Sequence, residues 1–481
     1  MRRKNLSALI VAIGIAAPFW AQVPANVGPA KNVIIMIPDG MSVAGTTLTR
    51  WVDGGVKPLA MDELACALVR SYPSDAIIND SAPAGTAYAC GITAQTGNIG
   101  EQEVYAGFDV VLGGGQKFFQ PDVRKDKEDL VKVIKANYEV VTDTAAMKAS
   151  KSAKLWGFFG MNGSTDLGYD LDRDPALVPS ISEMTDKAIA TLSSNKKGFV
   201  LMVEGSLIDW AAHANDPVGI VGDINAFDKA VTVAVDYAKK DKNTVVIVVT
   251  DHGNSGISIG NASTSSGYDT LKLSAVVDPL KKATRTAQGV ADLINADRSD
   301  IAEVVAQYFG LTVSDDEIAK IKAAKDANDL RYVCQAVLGA KMAAAAKLGF
   351  TTGGHTGEDI ELYVYSPKTA ERPMGVVMNT DIARYMEKLL GTDLRALTAR
   401  QFQLAPAAFA AKGAAVRFDF SDKANPVLVV MKGSKELKFR QNKSVAIVNG
   451  KETRLSGLVL YTGIAGGENW YVPEDAIELV D

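Results

Sequence analysis

A chain of 481 residues is longer than one simple core accommodates, so a large domain with a smaller companion is expected. Apolar residues make up 47% and charged residues 22%, which excludes disordered, collagen-like and disulfide-framework proteins. A formal charge of −5 argues against binding nucleic acid or anionic lipid, which usually requires a basic patch.

In chain order, Arg2, Arg3 and Lys4 form a positive start, and Leu6 to Ala17 is an apolar stretch ended by Pro18. Residues 1–25 therefore read as an export signal, too short for a membrane span, with cleavage after Ala21 or Ala25. The mature protein is expected in the periplasm or at the cell surface. Cleavage after Ala21 removes three positive charges and no negative ones, taking the formal charge from −5 to −8.

Asn32–Ile37, Phe108–Leu112, Gly198–Val203 and Thr244–Val249 are short apolar runs without polar alternation, as expected of strands buried on both faces. Helical patterns fill the gaps at Leu130–Asn137, Ile181–Ser193 and Ala226–Lys240, and along the Ala- and Lys-rich stretch Asp300–Leu348. The expected fold is a three-layer α/β/α sandwich around a mainly parallel sheet, spanning residues 26–400. Residues 401–415, rich in Ala, Pro and Gln, are expected to be a linker. Residues 416–481 then alternate in short runs, and Asn449-Gly450 is a strong two-residue hairpin signal, so a small β-rich domain closes the chain. Leu437 to Val480 resembles the small domain first named from the N-terminus of copper amine oxidases, and association with the cell envelope would run through it.

Cys66, Cys90 and Cys334 form no Cys-x-x-Cys pair, so no zinc ribbon is indicated and at most one disulfide is available. The three histidines are His213, His252 and His355. Each sits among carboxylates or glycines. Asp39 follows the first apolar strand in "NVIIMIPDG"; Glu204, Asp209 and His213 follow another in "VLMVEGSLIDWAAH"; Asp251 and His252 follow a third in "VVIVVTDHG"; His355 lies in "TTGGHTGED". Ligands in open α/β sheets bind beyond the carboxyl ends of the strands, where these acids would converge. Asp209 and His213, four apart, share one helix face. Imidazole combined with carboxylate suits Zn²⁺ better than Ca²⁺ or Mg²⁺ alone. In "INDSAPAGTAYACG", Ser81 opens a helix of small residues, where free N–H groups and the helix dipole suit a phosphate. Singly, each motif has a bland reading as a turn, a surface pair or a cap; together they point to a metal-dependent centre.

These motifs, in this order, are similar to those of the alkaline phosphatase family over roughly Lys31 to Leu390. The resemblance implies that Asp209, His213 and His355 hold one zinc. It implies that Asp39, Asp251 and His252 hold a second, which also meets the nucleophile Ser81. Glu204 with Asp39 would face a third site, usually Mg²⁺. The implied reaction is hydrolysis of small-molecule phosphate monoesters through a phosphoserine, assisted by two metals about 3.5–4 Å apart. Because histidine ligands must be neutral, activity should fall in acid. A homodimer is compatible with the resemblance.

One stretch departs from the family pattern. "GITAQTGNIGEQEVYAGFDVVLGGG" passes directly from the Ser81 helix to a Gly-Gly-Gly strand end, and no arginine occurs between Ser81 and Gly115. A deletion here would remove the arginine that clamps phosphate and part of the Mg²⁺ site. A phosphodiesterase on the same two-zinc core is therefore an alternative, as is an inactive surface-displayed binding protein. A sulfatase fits less well, since Gly85 stands where Ser-x-Pro-x-Arg needs its arginine.

Overall fold

In the computed structural model, the described residues are Pro24, 27–55, 58–93, 103–161, 167–368, 370–462 and 469–481. The expected export signal, apart from Pro24, lies outside them, as do residues 94–102 of the departing stretch. No described helix is long and apolar enough to cross a membrane.

Six strands build the main sheet: β1 (Asn32–Ile37), β2 (Ala65–Arg70), β3 (Val200–Glu204), β4 (Thr244–Val249), β5 (Ile360–Tyr365) and β6 (Gly375–Met378). Their order is β6-β2-β5-β4-β1-β3. The pairs β1–β3, β1–β4 and β2–β6 are parallel, and β5 runs antiparallel to both its neighbours. All of β4 is buried, as its unbroken Val and Ile run demands. The sheet is therefore mostly parallel, as expected, with one reversed strand.

Helices cover both faces. On one side, α1 (Val43–Val52), the 25-residue α5 (Pro217–Asp241) and α6 (Ala327–Ala345) build the larger core, around Ile34, Met36, Val246 and Phe227. On the other, α2 (Ser81–Cys90) and α7 (Asn379–Leu390) pack over Val33, Ile35, Val245 and Val249. Two further helices bear on the site: α3 (Ile181–Leu192), capped by a reciprocal Ser180–Glu183 pair, and α4 (Leu207–His213).

Three expectations need correction. The run at 198–203 does not become a strand buried on both faces: β3 is an edge strand whose Val200 and Met202 are 54% and 56% exposed. Residues 108–112 belong to a separate sheet, in which Val110–Gly113 and Glu139–Val141 flank Leu155–Phe158 in parallel. The stretch from 300 to 348 divides into Ile301–Tyr308, Asp315–Lys322 and α6, because Gly310 adopts a positive φ and Ser314 and Asp326 cap new helices.

Residues 401–415 are likewise not a free linker. Gln403–Leu404 pairs with Asn469–Val472, and the helix Ala405–Ala411 buries Ala405 and Phe409 in the C-terminal core with Trp470 and Leu428. That unit is β-rich as expected, with a five-stranded antiparallel sheet from Ala415 to Arg454 and a second sheet of three strands. Asn449 and Gly450 both take positive φ, the geometry a two-residue hairpin turn requires. The unit is tied to the main body where Lys443 meets Glu128 and the Tyr105 hydroxyl. All three cysteines are free thiols: Cys334 buried, Cys66 half-buried, Cys90 exposed.

Candidate metal centre

The carboxyl ends of β1 and β4 lie side by side, because the strands pair in parallel from Asn32↔Thr244 to Met36↔Val248. The loops beyond them deliver Asp39 and Asp251–His252 to one spot. Gly40 makes this approach feasible: its φ is +67°, and a Cβ there would stand 2.6 Å from Asp209 Oδ1. Its N–H donates to Asp251 Oδ1 (3.1 Å), as does the N–H of His252 (3.0 Å).

α4 brings the next pair. Asp209 and His213 face the same way, His213 Nε2 lying 3.3 Å from Asp209 Oδ2. Asn254 Nδ2 donates to Asp209 Oδ1 at 2.6 Å. His355 enters on a short strand paired with Gly253–Asn254 and stacks on His252, with ring centroids 3.6 Å apart. Its Nε2 is 3.7 Å from Asp209 Oδ1 and 3.1 Å from His213 Nε2.

All three imidazoles turn Nδ1 to a main-chain carbonyl: His213 to Gly353 (2.8 Å), His355 to Asn79 (2.9 Å) and His252 to Gly253 (3.1 Å). A carbonyl only accepts, so each Nδ1 carries a hydrogen, and in its neutral form each ring presents the Nε2 lone pair to the centre. Those lone pairs and the Asp209 carboxylate turn acceptors toward one another, an arrangement that a proton or a metal cation satisfies. Orienting partners on the outer nitrogen are a hallmark of metal-binding histidines.

Electrostatics agree with a cation. Asp39 is buried, and its Oδ1 accepts no hydrogen bond. Burial first, then the negative charges of Asp251, Asp209 and Glu204, push its pKa up to about 11, a penalty that a divalent ion would relieve. Burial also holds His252 below the ordinary histidine range. When protonated at Nε2 as well, His213 donates to Asp209, and this bond lifts its pKa to about 8; that proton holds the place a cation would take. Burial works to raise Asp209, but the hydrogen bonds from His213 and Asn254 outweigh it and keep this carboxyl low.

Two groups of ligand atoms match the sets expected from the sequence, one fully and one in part. Asp209, His213 and His355 converge as a set. Asp39 and His252 converge with Asp209, while Asp251 reaches His252 Nε2 through its Oδ2 at 3.2 Å. Ser81, exposed as the first residue of α2, places Oγ 3.3 Å from both Asp39 Oδ2 and His252 Nε2. Glu204 stands apart from these groups. It ends edge strand β3 and lines a separate small cavity with Asp170, Arg173 and Asp223, although its charge is felt at Asp39.

From the sequence alone, Asp80 reads as nothing more than the residue before a helix. It does occupy the N-cap of α2, but its side chain makes no capping bond, and its carboxylate groups with His252 and His355. Asn254 was also missed, although its place two residues after His252 is the kind of spacing that could have suggested it.

The alkaline phosphatase family model matches residues 30–107 and 95–392, in two pieces that meet in the stretch departing from the family pattern. Alkaline phosphatase 3 of Bacillus subtilis is 31% identical over 438 residues, covering 77% of this chain and 91% of that protein. The alkaline phosphatase of Thermus thermophilus superposes with a TM-score of 0.67 at 22% identity, over 80% of this chain and 96% of that one. The cold-active alkaline phosphatase of a psychrophilic Shewanella gives 0.62 at 25% identity, over 75% and 99%. By sequence along most of its length, and by a fold that gathers the matching motifs at one end of its sheet, this chain is a phosphatase of the alkaline phosphatase family.

Proposed function

We propose that the chain hydrolyses phosphate monoesters with two zinc ions and a phosphoserine at Ser81, in an exported compartment. The observation that carries this reading is the converging acceptor set: three Nε2 lone pairs and the carboxylates of Asp39, Asp209 and Asp251, with Ser81 Oγ at its edge. The donor set fits zinc, being nitrogen and oxygen from neutral imidazoles and carboxylates. Asp209, His213 and His355 would hold one ion, and Asp39, Asp251 and His252 the other. Ions bound there would supply positive charge for the serine oxygen, the phosphoryl oxygens and the leaving oxygen.

The chain's own residues do the rest. Ser81 sits where the unpaired N–H groups of α2 favour an anion, so the phosphoryl group is drawn to the reacting hydroxyl. Asp39 Oδ2 accepts the Ser81 hydroxyl hydrogen at 3.3 Å and is the nearest carboxylate to take it up. Attack forms the Oγ–P bond as the bond from phosphorus to the leaving oxygen breaks, and that oxygen takes a proton from solvent and leaves as the alcohol. Water then attacks the phosphoserine: its oxygen bonds phosphorus as the P–Oγ bond breaks, the proton held by Asp39 returns to Oγ, and the water's spare proton passes to solvent as inorganic phosphate leaves. Asp80, unused in capping, stands on the same side as His252 and His355 and orients the entering water in this scheme.

The test is to quench the zinc-loaded chain in acid during turnover of a phosphomonoester and map the phosphorylated residue by mass spectrometry. Phosphate on Ser81 is expected. Turnover without phosphorylated Ser81, or faster turnover of a phosphodiester or sulfate ester, would contradict the reading.

A further inference from the structure

A cavity of about 740 Å³ opens directly off the metal centre, with Asp209 and His213 among its lining residues. A phosphoryl group fills a small part of such a volume, which suits a whole organic ligand. Aromatic rings and amides stand in its lining beside Asp172, Asp292, Arg331 and aliphatic side chains. Trp210 on α4, Tyr332 on α6 and Phe118 beyond the Val110–Gly113 strand are 52%, 64% and 58% exposed, unusual for rings unless something covers them. Gln288, Asn328 and Gln335 add hydrogen-bonding edges, and Gln335 Nε2 donates to Gln288 Oε1 at 3.3 Å. Arg331 is engaged by Asp292 through two bonds of 2.6 and 3.1 Å, so the groove is not built as a second phosphate site.

We infer that this groove binds the leaving group and that the preferred substrates carry a planar, hydrogen-bonding ring, as nucleoside 5′-monophosphates do. The inference rests on the phosphomonoesterase reading above. With the phosphoryl group at Ser81, the remainder of the ester extends past His213 into the groove. There Trp210, Tyr332 and Phe118 offer faces for stacking, and the three amides offer partners for the ring edge. Stacking of this kind tolerates different bases and changes affinity by about tenfold per contact.

The experiment compares kcat/KM for adenosine 5′-monophosphate and glycerol 3-phosphate on the zinc-loaded full chain. The nucleotide should be preferred by about tenfold or more. In Tyr332→Ala and Phe118→Ala that preference should fall about tenfold through KM, and Tyr332→Phe should restore it. Both side chains are mostly exposed, so truncating them removes few packed contacts. Adenosine alone should quench tryptophan fluorescence in the wild type, and bind about tenfold more weakly to Tyr332→Ala. Equal kcat/KM for the two substrates, or a preference unchanged in both alanine variants, would overturn the inference. Hydrolysis of neither substrate would sink the phosphomonoesterase reading instead, and the adenosine titration would still decide the groove: quenching upholds it, no quenching overturns it.

Discussion

The Nε2 atoms of His213 and His355 lie 3.1 Å apart, while Nδ1 of each ring faces a main-chain carbonyl. Two lone pairs at that distance repel unless a positive charge sits between them. Replacing one ring should therefore abolish the site rather than weaken it slightly. His355→Ala is expected to lose one zinc per chain and at least a hundredfold in kcat/KM, read by elemental analysis and steady-state kinetics. Full metal content in the variant would contradict this role.

Gly40 packs its backbone against Asp209. A methyl group at Gly40 would meet Asp209 Oδ1 and its Cα at 2.6 and 2.9 Å, in a backbone conformation that side chains rarely adopt. Gly40→Ala should displace Asp209, with a stability loss on the order of 1–3 kcal/mol and zinc affinity reduced tenfold or more. Thermal melting and zinc titration check both effects, and unchanged zinc affinity would show that Asp209 is placed by other contacts.

Phosphate should be held loosely. No arginine occurs between Ser81 and Gly115, and a charged hydrogen bond contributes roughly 1.5–3 kcal/mol. Inorganic phosphate is expected to inhibit about tenfold or more weakly than in family members that carry the clamping arginine. An inhibition constant matching theirs would mean that another cation has taken its place.

Burial pushes Asp172 up to about 6, with the hydrogen bonds from Thr286 opposing that shift. A carboxyl whose folded pKa exceeds its unfolded value binds its proton more tightly when folded. Its contribution is thus fully present below about pH 4 and is lost as pH rises to about 6. Asp172→Asn keeps an acceptor for the Thr286 N–H and removes the titration. In urea melts of chelator-treated protein, its stability relative to wild type should rise by on the order of 1–2 kcal/mol between pH 4 and pH 7. A difference that stays flat with pH would rule this out.

Much of this organisation is legible in the chain. β1 and β4 run from Asn32 to Ile37 and from Thr244 to Val249, the bounds expected from the apolar runs, because uninterrupted Val and Ile between polar punctuation leaves few alternatives. β3 is likewise apolar as far as Glu204, yet nothing in its residues says that the sheet ends there. Residues 401–415 look like a linker because Ala and Pro carry weak patterning, and it takes Ala405 and Phe409 in the C-terminal core to show otherwise. At the site, side chains announce themselves and main-chain atoms do not. The carbonyls of Gly353, Asn79 and Gly253 orient all three imidazoles, and such a role leaves no mark on residue type. Asp80 is ambiguous on sequence, since a cap and a site carboxylate look alike there, and only the missing capping bond tells them apart.

The central claim is that the acceptor-lined pocket exists to hold metal for phosphoryl transfer. Elemental analysis of the purified chain, paired with phosphomonoester turnover before and after chelation, tests it most directly. The expected result is two zinc ions per chain without magnesium, activity lost on chelation and regained with zinc. Undiminished turnover by the metal-free chain would contradict it.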